Sequence, residues 1–148
     1  DHGKITPWHF YEVTPKSRSL LGDLFANALI ERDPTAKPDQ VEEARQKAFR
    51  GPLLLLATAN LDNVLDNIPE QEKIISAGCA IQNILLMANA LGFGSGLSSG
   101  KALYSQKMKD LFLLKNKEEP LCFITIGTIS IHKANQERPN ASFFSSVF

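Results

Sequence analysis

PEQEKIISAGCAIQNILLMANAL at 69–91, followed at once by GFGSGLSSG at 92–100, is the stretch on which the architecture turns. Pro69 suits the first turn of a helix, where its missing N–H would have no partner in any case, and Glu70 and Glu72 suit the positive end of the helix dipole. No proline follows before Leu91. About 23 residues at about 1.5 Å each therefore predict a central helix about 35 Å long. Gly92, Gly94, Gly96 and Gly100 then crowd a short window with Ser95, Ser98 and Ser99. So much backbone freedom marks a loop, and that loop is the leading candidate for a binding site.

The flanks supply the rest of the domain. LLLLATA at 53–59 is an unbroken apolar run of strand length, suited to burial on both faces. Upstream of it, Pro38 opens a charged helix carrying Glu42, Glu43, Arg45 and Lys47, which should lie largely in solvent. Leu20, Leu21, Leu24, Phe25, Ala28 and Leu29 recur at helical spacing after Ser17, whose hydroxyl is placed to cap the first turn, until Asp33 and Pro34 break the helix. PWHFYEVT at 7–14 reads as a strand preceded by a loop and ended by Pro15. Beyond the glycines come a short helix over Ser105 to Phe112 and a buried strand at LCFITIG, 121–127. The tail, with Phe143, Phe144, Val147 and Phe148, is too apolar for a free end. This order predicts one domain built on a mixed sheet flanked by helices.

Composition narrows the function. The 148 residues carry 16 lysines and arginines against 16 aspartates and glutamates, which argues against nucleic acid as a main partner. With 43% hydrophobic and 22% charged residues, the chain is an ordinary globular one rather than a disordered one. Cys79 and Cys122 cannot build a disulfide framework, so a reducing cytoplasm is the expected location. Gln82, Asn83 and Asn89 interrupt the most apolar stretch, so neither a membrane span nor a signal peptide is expected.

The candidate chemistry is sparse. Gly94-x-Gly96-x-x-Ser99 lacks the third glycine of the dinucleotide fingerprint and follows a helix rather than a first strand. Gly96 and Gly100 are too close for a P-loop, and Lys101 is followed by Ala102 rather than Ser or Thr. Cys79 lies deep inside the predicted helix, away from the end that would lower its pKa, and reads as a buried, inert thiol. His2, His9 and His132 have no metal-ligand spacing, and the pairs Glu42-Glu43 and Glu118-Glu119 sit in charged surface contexts. No catalytic acid, base or nucleophile and no metal site is indicated. The residues alone lead as far as a mixed α/β domain that binds a ligand or cofactor.

A resemblance carries the reading further. DHGKITPWHF at 1–10 resembles the segment of the FMN-dependent nitroreductase family in which an Asn/His-Gly pair precedes Pro-Trp-Arg/His-Phe. SAGCAIQNILLMA at 76–88 resembles that family's central helix, ALGFGSG at 90–96 the glycine turn closing it, and Phe123 to Thr128 with Arg138-Pro139 its terminal strand and tail. These stretches occur in the family's order over nearly the whole chain, closest to the small bacterial NAD(P)H nitroreductases.

The resemblance implies an α+β fold with a central, mixed but mainly antiparallel sheet, spanning 1–148 as a single domain and dimerising through its long helices. FMN would lie at the subunit interface, so each chain would hold half a site. Carried over by position, His2 and Thr6 fall in the loop that reaches the flavin, Leu97, Ser98 and Ser99 border its ring, and Gly100 lies beside them. Met87 to Gly92 matches a stretch associated with the nicotinamide nucleotide, and Trp8 is expected to support its loop rather than stack on flavin. The implied activity passes a hydride from NAD(P)H to FMN and then electrons to a small acceptor such as a nitroaromatic or a quinone. Two departures stand out. The family's N-terminal helix, whose arginines grip the flavin phosphate, is expected to precede Asp1, and Leu97-Ser98-Ser99 stands where small relatives often have Trp-Arg-Ser. They leave open a flavin-binding or interaction protein without catalysis on the same scaffold.

Overall fold

The computed structural model describes residues 1–62, 67–131 and 136–148. His132 lies outside the described residues. Four strands form one antiparallel sheet in the order β1-β2-β4-β3: β1 (Trp8–Glu12), β2 (Leu53–Asn60), β4 (Glu118–Gly127) and β3 (Gly94–Ser98). The helices are α1 (Pro15–Arg32), α2 (Pro38–Gln46), α3 (Glu70–Ala90) and α4 (Gln106–Leu111). The expected mixed sheet is therefore wholly antiparallel among the described residues.

The two central strands are apolar on both faces because both faces are covered. Leu54 and Leu56 of β2 and Phe123 of β4 pack with Leu21 of α1, Ala48, Leu103 and Met108 on one side. Ala57, Cys122 and Ile124 pack with Ile81, Ile84 and Leu85 of α3 on the other. Alternation along each strand divides the side chains between the two cores. Between Ala57 and Thr58 the pairing with β4 slips, so that Ala57 faces Cys122 and Thr58 faces Pro120. A proline has no N–H to give the ladder, and the slip accommodates it within a central strand.

Helix ends follow local chemistry. Pro15 opens α1 directly after Thr14, so Ser17 lies inside the helix and does not cap it. Its hydroxyl instead meets Thr14 Oγ1 at 3.0 Å. Asp33 ends α1, as expected. Pro69 immediately precedes α3, and Gly92, at a φ of 82°, lets the chain leave it.

Three expectations change. The glycine-rich window is not a loop: its residues 94–98 form β3, at the sheet edge, paired from Gly94 opposite Gly127 to Ser98 opposite Phe123. Nothing in GSGLS favours a strand; the ladder offered by β4 imposes it. Cys79 is exposed on α3, and Cys122 is the buried thiol. The helix covers the sheet with one face only, and Cys79 points away. The tail does not pack on its own chain either, with Phe143 and Phe144 both exposed.

By length and composition alone, α3 is also long and apolar enough to cross a membrane, the one such helix among the described residues. Its polar interruptions at Gln82, Asn83 and Asn89 are too few to change that. Its Ile81, Ile84 and Leu85 are occupied by the sheet, however, and its Lys73 is buried with Nζ donating to the Asp62 carbonyl.

Candidate functional site

A cavity of about 170 Å³ opens where β3 runs out beside the ends of α1 and α2. Ser98, Ser99 and Gly100 form one wall, and Phe25, Leu29, Leu54 and Phe123 form an apolar floor. As an edge strand, β3 keeps a row of backbone N–H and C=O groups on its outer side that no other strand among the described residues takes. A Cβ placed at Gly96 or Gly100 would meet nothing within 4 Å. A flat ligand can thus approach this backbone closely.

The rim is cationic. Arg32 from the end of α1, Lys47 and Arg50 from the turn after α2, and Lys101 just beyond β3 all line the cavity. Among the described residues none of the four has an ion pair or a side-chain hydrogen bond. Asp33, beside Arg32, is engaged elsewhere: its Oδ1 accepts from Thr35 Oγ1 at 2.7 Å and Thr35 N at 3.0 Å. Those bonds, with a smaller contribution from Arg32, hold its carboxyl below the usual range. Uncompensated positive charges around an apolar hollow suit an anion attached to an apolar body.

These cations were not legible in the sequence, because positions 32, 47, 50 and 101 come from separate segments with no shared motif. They bear on the two departures noted there. The cationic contact missing at Leu97-Ser98-Ser99 has neighbours in Lys101, Lys47 and Arg50 across the same cavity.

The other sequence-derived site residues divide sharply. Ser98, Ser99 and Gly100 line the cavity together. Leu97 is 53% exposed and, one residue from Ser98 on a strand, points to the opposite face. His2 and Thr6 lie at the far edge of the sheet, before β1, with β2 and β4 between them and β3. His2 Nδ1 meets Glu72 Oε2 at the start of α3 at 2.7 Å, and Thr6 N donates to Asp1 Oδ2 at 2.7 Å. One chain therefore does not bring the two groups into one site. At about 170 Å³ the cavity is also below the roughly 300–1,000 Å³ usual for ligand pockets.

On the other face of the sheet, Met87 and Leu91 border a wider groove of about 620 Å³ with Leu53, Ile84, Phe93 and Ile126. Asn83 is its polar side chain and, among the described residues, nothing charged lines it, so those residues offer no cation to a nucleotide phosphate. Trp8 is half-buried at the start of β1, opposite Ala59. Among the described residues no group of His, Cys, Asp and Glu is placed to hold a metal ion.

The chain is similar to known proteins along most of its length. The model of the Nitroreductase family matches residues 1–128. A relative from Haemophilus influenzae named "Putative NAD(P)H nitroreductase" is 30% identical over 137 residues, which is 93% of this chain and 73% of the relative. A nitroreductase-like family protein from Bacillus cereus superposes with a TM-score of 0.78 at 18% identity, over 100% of this chain and 76% of that one. An FMN and NADPH-dependent nitroreductase, the Y88A mutant of NfnB from Sphigopyxis sp. strain HMH, gives a TM-score of 0.72 at 13% identity, over 97% and 80%.

Proposed function

The chain belongs to the nitroreductase family, and from that premise we propose that it is an FMN-dependent oxidoreductase that takes a hydride from NAD(P)H and passes electrons to a small acceptor. The observation carrying this reading is the cavity beside β3, where four cations, unpaired among the described residues, face the open backbone of Ser98–Gly100. Those residues fit flavin mononucleotide in two respects. Cations answer its phosphate, and the β3 edge, free of side-chain bulk at Gly96 and Gly100, admits a planar ring. When bound, FMN supplies the hydride acceptance and electron delivery.

The residues of the chain have the remaining tasks. Backbone N–H groups at Ser98–Gly100 would be the donors that hold the ring edge. Arg32, Lys47, Arg50 and Lys101 would balance the negative charge of the phosphate. The floor of Phe25, Leu29, Leu54 and Phe123 excludes water and so strengthens both interactions. A side-chain acid, base or nucleophile has no part in this scheme. Any flat, apolar molecule able to lie over the ring can serve as acceptor, nitroaromatics and quinones among them.

The same proposal makes the protein a homodimer. Ile75 and Leu86 of α3, 66% and 59% exposed, are large apolar groups on the side of the helix turned away from the sheet, and Met87 and Leu91, 60% and 66% exposed, carry the apolar surface round to the groove beside the sheet. Pairing two such helices covers them and allows the partner's His2 and Thr6 to complete a cavity too small on its own. The two unpaired thiols accord with a cytoplasmic location.

The deciding experiment is the visible spectrum of the purified protein mixed with FMN, before and after anaerobic NADH or NADPH. Bound flavin bands that bleach with one donor support the reading and identify that donor. A protein that takes up no flavin refutes it. Flavin that binds and stays oxidised with both donors points to a flavoprotein without this activity.

A further inference from the structure

The turn carrying two of the cavity's cations is held by a residue that never reaches the cavity. Arg18, on the first turns of α1, is 7% exposed. Its Nη1 donates to the carbonyls of Ala48 at 3.1 Å and Gly51 at 2.9 Å, and its Nη2 to that of Pro52 at 2.8 Å. Among the described residues, all of its side-chain hydrogen bonds thus go to backbone carbonyls in one short segment. A buried guanidinium balanced by carbonyl dipoles, with no carboxylate bonded to it among the described residues, is a costly arrangement to maintain for packing alone.

The segment it holds is the one that needs holding. Gly51 stands at a φ of 68°, where a Cβ would come within 2.5 Å of Thr125 Cγ2. Lys47 and Arg50 project into the cavity from this same turn, between the end of α2 and the start of β2. With Ala48, Gly51 and Pro52 all tied to α1, the backbone on both sides of Arg50 is fixed. An ammonium cannot copy this. It is a compact charge on a single nitrogen, whereas the planar guanidinium spreads its donors between two nitrogens to span the turn.

We infer that Arg18 is a positioning residue for the anion-binding rim, clamping the 48–52 turn so that Lys47 and Arg50 face the cavity. The inference rests on the flavin reading only in its choice of FMN as probe.

The test is a double-mutant cycle on the full chain, with FMN affinity read from quenching of flavin fluorescence well below every variant's unfolding temperature. Lys47→Gln and Arg50→Gln together are made beside Arg18 and beside Arg18→Met, with Arg18→Lys replacing Arg18→Met if the latter does not fold. Hydrogen exchange of the amides at 48–51 and 53 is followed in the same proteins without flavin. Beside Arg18, loss of the two cations should weaken FMN binding about tenfold or more. In the Arg18→Met background, where the turn is released, the same loss should weaken it about twofold or less, because cations already displaced have little left to lose. The exchange should quicken in that turn while β4 keeps its protection.

An equal cation effect in both backgrounds overturns the inference even if Arg18→Met lowers the melting temperature, since a purely structural residue would do that. Unchanged exchange at 48–51 overturns it as well. If the unmodified protein does not bind FMN, the flavin reading falls and the exchange measurement decides the clamp by itself.

Discussion

Replacing Glu118 with Gln should cost about 2 kcal/mol at pH 7, and the loss should shrink as the solution is acidified. Glu118 opens β4 and is 6% exposed. Its Oε1 accepts from Thr58 Oγ1 of β2 at 2.7 Å and from Tyr11 Oη of β1 at 2.9 Å, and its Oε2 accepts from Lys115 N at 3.2 Å. One carboxylate therefore ties three neighbouring strands. Burial pushes its pKa up and is the largest single influence, but the bonds from Thr58, Tyr11 and Lys115 and the nearby His9 outweigh it, leaving the group below its ordinary 4.5. A neutral amide weakens each of three charge-assisted bonds by about 1 kcal/mol while recovering part of the burial cost, for a net of about 2 kcal/mol. In a chain of this length that is about 4–8 °C of Tm. For the sign, a carboxyl with a depressed folded pKa contributes stability that is present above the unfolded value and lost as pH falls through the folded one. The gap in Tm between the native protein and Glu118→Gln should accordingly hold from neutral pH down to near 4.5 and close below it. Thermal unfolding by circular dichroism across that range measures it. A gap that is the same at pH 7 and well below 4.5 would show that the charge on Glu118 is not the source.

Other outcomes follow from the same structure. Tyr11, raised to about 12 chiefly by burial and then by its bond to Glu118, contributes stability that is full below its ordinary 10 and lost as pH rises toward the folded value. Tyr11→Phe should abolish the late tyrosinate absorbance change, and a change surviving that substitution would contradict the assignment. Lys101→Gln should weaken FMN binding about three- to tenfold in dilute buffer and by much less in about 1 M salt, where exposed charges are screened; a salt-independent effect would place Lys101 away from the phosphate. Leu86→Arg should convert the proposed homodimer to a monomer in sedimentation, and an unchanged sedimentation coefficient would remove α3's outer face from the interface. Cys79 should react with a thiol reagent far faster in that monomer than in the dimer, with Cys122 inert in folded protein of either kind.

The contrast between what the sequence disclosed and what it concealed has a physical basis. Periodicity locates α1, Pro69 with the proline-free run behind it locates α3, and continuous apolar runs locate β2 and β4, because these elements are announced by their own residues. β3 is different. Its GSGLS carries no preference for extension, and only the ladder of β4, brought alongside by the turn at Gly92, makes it a strand. The distinction matters for the site, since a strand edge presents its backbone in a fixed array where a loop would not. The same limit hid Cys79: a helix apolar on two faces reads as buried, yet one sheet can cover only one of them, and the uncovered face is the one the proposed dimer would use. The cavity's cations were concealed for another reason. Arg32, Lys47, Arg50 and Lys101 sit among polar neighbours as any surface residue does, and their number around one hollow exists only after α1, the turn into β2 and the end of β3 converge. Arg18 is the link between these levels. Nothing in PKSRSLL distinguishes it from Lys16 two residues earlier. Burial under the 48–52 turn turns that arginine from one more surface charge into the brace of the cavity wall, so the sequence that leaves the cations scattered also encodes the clamp that gathers two of them.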